Sequence, residues 1–321
     1  MPTPFAAARF WALMEPMTHT AIRLLAPVLA LFAAAPAGAQ DKGTLAPASL
    51  PPLANPNDPS TPAKELFGRK SQPAPLPARA IGFYSKGCVA GATALPIDGQ
   101  TWQVMRLSRN RNWGHPRLIA LLERLARRAP EINGWPGLLV GDISQPRGGP
   151  MLTGHASHQL GLDADVWLTP MPRERLSRTD REEMSAVNMV REDRLDIDPA
   201  VWTPAHAALL KAVSRERDVT RIFVNPAIKK ALCREAGPDR AWLSKIRPMF
   251  GHNYHFHIRM ACPPGEAGCS DQDPPPGGDG CGAELAGWFT EEMRFPKPGK
   301  PRPPMTMAAL PPECRRVLMA Q

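Results

Sequence analysis

The sequence predicts an α+β domain on three observations: helical patterns that open at a proline, short strand-like runs set between them, and no internal repeat. Helices inserted among strands in this order favour antiparallel pairing. The first helix is expected over 116 to 129, where Leu118, Leu121, Leu122 and Leu125 recur on one side and Arg124, Arg127 and Arg128 oppose them. It starts at Pro116 and stops before Pro130. Residues 138 to 143 form a short apolar strand, and Arg147-Gly148-Gly149-Pro150 a loop. From 162 to 168, Asp163, Asp165 and Trp167 alternate with Ala164, Val166 and Leu168, a strand entered through a turn at Gly161. Residues 171 to 200 are charged and proline-flanked and read as an insertion. A helix follows over 204 to 215, a strand over 221 to 224, a helix over 226 to 233 and a short helix over 241 to 246. The last strand runs from Tyr254 to Met260, with His255 and His257 on one face and Phe256 and Ile258 on the other.

The chain has 321 residues, enough to bury a sizeable core, and one domain over 81 to 295 with irregular ends is the reading adopted. Its 39 prolines outnumber its 25 glycines and gather at 46 to 78, 272 to 276 and 296 to 312, which predicts extended or turn-rich chain there. Residues 40 to 80 accordingly read as a Pro-rich linker, much of it without fixed structure, and 296 to 321 as a Pro-rich C-terminal tail. At the N-terminus, Arg23, the apolar run 24 to 36 and Ala37-Gly38-Ala39 form an export-signal pattern over residues 1 to 39. The apolar run is shorter than the roughly 20 residues a bilayer span needs, so no stable membrane anchor is expected. Residues 1 to 16 add nothing to this pattern, which leaves Met17 beside Met1 as a start.

Formal charge is +9, and removing residues 1 to 39 lowers it by one, because Arg9 and Arg23 leave together with Glu15. Such a balance suits nucleic acid, an anionic membrane surface or an anionic wall polymer. Export to a periplasm argues against nucleic acid. Interleaving of Arg173, Arg175, Arg178 and Arg181 with Glu174, Asp180 and Glu182 favours an ordinary solvated surface. The six cysteines are even in number and none forms a C-x-x-C pair, so disulfides are expected rather than a thiolate metal site, with fifteen pairings open.

Two stretches carry the chemistry: Gly154 to Asp165, and Gly251 to His257. Of the eight histidines, His155, His158, His252, His255 and His257 fall within them. Imidazole and carboxylate are the usual ligands of a catalytic zinc, which keeps three protein ligands and an open position. The isolated His115 and His206 read instead as surface or satisfied core residues. Neither G-x-S-x-G nor S-x-x-K occurs to suggest a serine nucleophile.

His158, six residues, Asp165 and the distant His255-Phe256-His257 resemble the H-x6-D and H-x-H signature shared by lysostaphin-type endopeptidases, D-Ala-D-Ala carboxypeptidases and the hedgehog signalling domain. The wider wording is narrower in its likeness. Gly-His-Ala-Ser-His-Gln, Gly-Leu-Asp-Ala-Asp, residues 219 to 229 and residues 278 to 285 resemble the penicillin-insensitive murein endopeptidases of bacterial cell walls, from about Gly82 to Cys314. The resemblance implies a small antiparallel sheet with zinc on one face, flanked by helices and long loops. It implies zinc held by His158, Asp165 and His257, with His255 catalytic and His252 supporting it. His155, with Asp193 and Asp196 aligned by counting back from Trp202, would belong to a second zinc; at Asp196 the family carries a histidine. Disulfides Cys88–Cys314, Cys233–Cys281 and Cys262–Cys269 are implied too, the first tying the tail back to the domain. The implied reaction is metal-assisted hydrolysis of the D-alanyl-meso-diaminopimelyl cross-link of peptidoglycan. A D-Ala-D-Ala carboxypeptidase and a non-catalytic, zinc-stabilised module that binds wall peptides are the alternatives. His255 beside a full ligand set favours an enzyme, since a structural zinc is closed by a fourth protein ligand. Oligomeric state is open, with a homodimer among the candidates.

Overall fold

The computed structural model describes residues 42–297, 299 and 303–321. The export-signal pattern, with the choice between Met1 and Met17, lies outside the described residues. In chain order the elements are α1 (Ala63–Phe67), β1 (Arg79–Phe83), β2 (Lys86–Ala90), β3 (Thr93–Ala94), β4 (Trp102–Val104), β5 (Trp113–Gly114), α2 (Pro116–Asn133), β6 (Leu138–Val140), β7 (Asp163–Trp167) and α3 (Arg178–Glu183). There follow α4 (Pro204–Ser214), β8 (Val219–Val224), α5 (Pro226–Glu235), β9 (Ile246–Pro248), β10 (His255–Met260), α6 (Ala283–Ala286), α7 (Glu291–Arg294) and α8 (Glu313–Met319). The α+β expectation is met.

The main sheet has six strands in the order β4-β6-β7-β10-β8-β9. Its centre is antiparallel, β10 pairing with both β7 and β8. Its two edge pairs, β4 with β6 and β8 with β9, are parallel, which the expectation of antiparallel pairing missed. In each case a helix intervenes, α2 or α5, and a helical crossover returns the next strand in the same direction.

The period of two sorts the central strands into a core face and a site face. Ala164 and Val166 of β7, Phe256 and Ile258 of β10 and Ile222 of β8 are fully buried in one cluster with Leu118, Leu121, Leu122 and Leu125 of α2 and Leu209, Leu210 and Val213 of α4. Asp163, Asp165 and Trp167 stand opposite Arg259, His257 and His255 on the other face. α2 runs on through Pro130 to Asn133, one turn longer than expected. Pro130 forgoes the bond to the Ala126 carbonyl without ending the helix at once; its own carbonyl accepts the cap N–H of Gly134, whose φ of 77° ends the helix.

Part of the stretch read as an unstructured linker is built into the domain. Phe67 of α1 is fully buried in a second cluster with Ile81, Cys88, Cys314, Val317 and Leu318. Phe67 fits against Gly149, where a Cβ would lie 2.4 Å from its ring. Proline content reported the turns around α1 but not the one apolar face that docks. The tail also ends in structure, α8, tied through the Cys88–Cys314 disulfide; Cys233–Cys281 and Cys262–Cys269 are formed as well. Arg147 joins the two ends: its guanidinium donates to the carbonyls of Gln72, Val317, Leu318 and Ala320 at 3.1, 2.9, 2.8 and 2.7 Å. Arg147→Ala is expected to cost about 1–3 kcal/mol, the scale for stranding buried acceptors, and to speed hydrogen exchange in α8 first. A wild-type urea midpoint in that variant would count against the clamp.

Both isolated histidines are structural, as expected. His115 accepts the Arg117 N–H at Nδ1 and meets Glu266 at 3.0 Å through Nε2. His206 accepts the Thr203 N–H at Nδ1, 3.0 Å, and its Nε2 donates to the Leu168 carbonyl, 3.0 Å, between Trp202 and Trp135. Burial holds its pKa below 6.5, although the backbone hydrogen bonds with Leu168 and Thr203 act to raise it. The unfolded chain then binds a proton that the fold refuses, so stability is full above about pH 6.5 and falls as pH drops below it. The loss of urea stability between pH 7.5 and pH 5 should be smaller in His206→Gln than in the wild type.

Candidate metal centre

Asp165 leaves the middle of β7 on the site face, and its two oxygens meet four imidazoles. Oδ1 lies 3.4 Å from His158 Nε2 and 3.3 Å from His257 Nδ1. Oδ2 lies 3.6 Å from His155 Nδ1 and 3.6 Å from His255 Nε2. Strand register produces half of this: Asp165 pairs with His257 and the next same-face pair is Trp167 with His255. His158 comes from the loop ahead of β7 with φ 67°, a left-handed conformation held by its N–H bond to Asp163 Oδ2 at 3.0 Å. Gly161, φ 66°, completes the predicted turn, and a Cβ there would sit 2.8 Å from the His115 nitrogen. His252 stands outside the strand, φ 51°, with its ring 4.8 Å from that of His255 and its Nδ1 2.9 Å from the Phe250 carbonyl.

Hydrogen bonds define which nitrogens are free. His158 Nδ1 lies 2.6 Å from the Ile143 carbonyl, so it carries the proton and Nε2 offers its lone pair toward Asp165. His158 Nε2 and Asp165 Oδ1 are both buried and without a hydrogen-bond partner in the protein. Buried polar atoms left so are costly unless another group bonds them. His257 Nε2 lies 3.0 Å from Asp163 Oδ1 but outside hydrogen-bond geometry, which leaves Nδ1 to the Asp165 side.

The electrostatics separate the histidines. Burial would lower His257, but Asp163 and Asp165 push it up to about 9. Burial takes His255 down to about 4 against the pull of Asp165, and takes His252 to about 3 with help from His255 and His257. Burial would raise Asp165, yet His255, His158 and His155 hold it well below the usual carboxylate range. At neutral pH the metal-free centre therefore pairs an ionised carboxylate with a protonated His257, while His255 and His252 stand neutral.

Three supporting residues, Asp163, Arg259 and Asp142, escaped sequence reasoning. Asp163 binds the Arg259 guanidinium at 2.8 and 3.1 Å as well as the His158 N–H. Its position two before Asp165 on the same strand face was the signal available. Asp142, just beyond β6, has no such signal; it receives His155 Nε2 at 2.9 Å. Asp193 and Asp196 are placed on a loop and are occupied there. Asp193 pairs with Arg191 at 2.8 Å, and Asp196 with Arg234 at 3.0 Å and Lys230 at 3.3 Å. Among the described residues, one group offers three ligand atoms within 4.8 Å of one another: His155, His158 and Asp165. His257 faces the same carboxylate, on the oxygen it shares with His158.

An α+β domain whose central strands bring a buried carboxylate and several imidazoles to one face has the make-up of a metal-assisted hydrolase. The chain belongs to the penicillin-insensitive murein endopeptidase family, whose sequence pattern matches residues 80–319. It is 46% identical over 240 residues to the penicillin-insensitive murein endopeptidase of Yersinia enterocolitica serotype O:8 / biotype 1B, over 75% of this chain and 85% of that one. It is 45% identical over 249 residues to those of Escherichia coli O1:K1 / APEC and Escherichia coli strain SMS-3-5 / SECEC, over 77% of this chain and 89% of each. The chain is thus a peptidase, and the matched span runs from β1 through α8.

Proposed function

We propose that this chain is a zinc endopeptidase that hydrolyses the D-alanyl-meso-diaminopimelyl cross-links of peptidoglycan in the periplasm. The names of its relatives support the substrate class. Among the described residues no helix is long and apolar enough to cross a membrane. The observation that carries the zinc reading is the pair of buried, unpartnered atoms His158 Nε2 and Asp165 Oδ1, with His257 Nδ1 3.3 Å from the same oxygen. Two imidazoles and one carboxylate match the ligand set of a hydrolytic zinc: His158, Asp165 and His257 would supply it around Oδ1, and His155, within 4.8 Å of His158 and Asp165, offers a further nitrogen on the Oδ2 side. Zinc, when bound, polarises the scissile carbonyl and acidifies water.

The chain's own residues do the rest. Asp165 contributes one negative charge and so leaves the centre net positive. His255, neutral and on the opposite carboxylate oxygen from His158 and His257, is placed to hydrogen-bond the developing oxyanion or to carry a proton to the leaving amine. His252 sits next to His255 and keeps Nε2 free to share that proton, because its Nδ1 donates to the Phe250 carbonyl. Digestion of purified sacculi, followed by separation of the muropeptides, tests the substrate. Loss of cross-linked dimers is expected; loss of terminal D-alanine from pentapeptides alone would make it a carboxypeptidase, and no change would leave a binding module.

A further inference from the structure

We propose that Asp142 is a positioning residue for the metal centre: it fixes His155 with the Nδ1 lone pair turned toward Asp165. The proposal rests on the zinc reading above. Asp142 is 4% exposed and lies just past the end of β6, where its backbone carbonyl also accepts the Asp165 N–H at 2.9 Å. Its Oδ2 receives His155 Nε2 at 2.9 Å, Arg109 Nη1 at 3.0 Å and Arg111 Nη1 at 2.9 Å. A carboxylate only accepts, so the shared proton belongs to His155 Nε2, and Nδ1, 3.6 Å from Asp165 Oδ2 and not hydrogen-bonded to it, is left with its lone pair for a metal.

The two arginines matter because they fix the carboxylate that fixes the imidazole: both donate to the same oxygen that His155 Nε2 meets. Arg111 is itself fastened to Thr153, by its carbonyl at 2.9 Å and its hydroxyl at 3.1 Å, two residues before His155. The clamp therefore anchors both the side chain of His155 and the backbone that brings it. Carboxylate–imidazole pairs of this kind orient a ligand and raise its basicity, and losing the carboxylate typically weakens metal binding about ten- to hundredfold.

Chelator competition on the full chain, with zinc alone as probe, is the test. Asp142→Asn should weaken zinc binding about ten- to hundredfold in the wild-type background and change it little in a His155→Ala background, since Asp142 acts through that ring. An equal loss in both backgrounds, or none in the first, would overturn the proposal. A readout that needs no variant guards against misfolding. Nitrogen-15 shifts of His155 in the metal-free wild type, at a pH where the ring is neutral, should show the proton on Nε2; a proton on Nδ1 would also overturn it. Zinc binding that survives Asp165→Asn unchanged would instead overturn the zinc reading, while the His155 tautomer would still report on Asp142.

Discussion

His257→Ala is expected to lose metal and hydrolysis together, whereas His255→Ala keeps its metal and slows hydrolysis by about a hundredfold or more. The two rings leave one face of β10, and only their partners distinguish them. His257 lies between Asp163 and Asp165, with Nδ1 toward the oxygen that His158 also faces. His255 meets the other oxygen and is the more exposed of the pair, which suits a group that must reach substrate. Metal stoichiometry beside the rate of cross-link cleavage separates the roles. Equal loss of zinc in both variants would make His255 a ligand, and full activity in His255→Ala would end its catalytic assignment.

Replacing Cys88 and Cys314 by alanine is expected to lower stability by about 2–5 kcal/mol. This disulfide spans 226 residues, and closing so long a loop restricts the unfolded chain more than the other two bridges, which span 48 and 7. It also passes through the cluster where α1, β1 and α8 meet, so both ends of the domain should loosen together. Urea unfolding of the oxidised double variant reads the effect. A midpoint equal to wild type would show that Arg147 and the apolar contacts hold the ends without it.

The site was legible where chemistry and period coincide in the sequence. His255 and His257 alternate with Phe256 and Ile258, and Asp163 and Asp165 with Ala164 and Val166, so the alternation by itself marks two polar rows. What brings the rows together is register, which no spacing encodes, and it alone puts Asp165 beside His257. Asp142 was invisible for the same reason: it is far in sequence from the histidines of β10 and reaches His155 only because β6 lies next to β7. The fold was read correctly in class and in most elements. The parallel edges and the buried α1 were missed, since crossover direction and a single docking Phe67 leave little local pattern.

The most direct test of the metal centre is elemental analysis of the purified chain and of Asp165→Asn, paired with sacculus digestion. Asp165 faces both sides of the site and meets all four imidazoles, so removing its charge touches every one of them at once. The expected result is about one zinc per wild-type chain, with zinc and cross-link cleavage both lost in the variant. A variant that holds the same zinc, or one that loses it yet cleaves cross-links at the wild-type rate, would contradict a catalytic metal at Asp165.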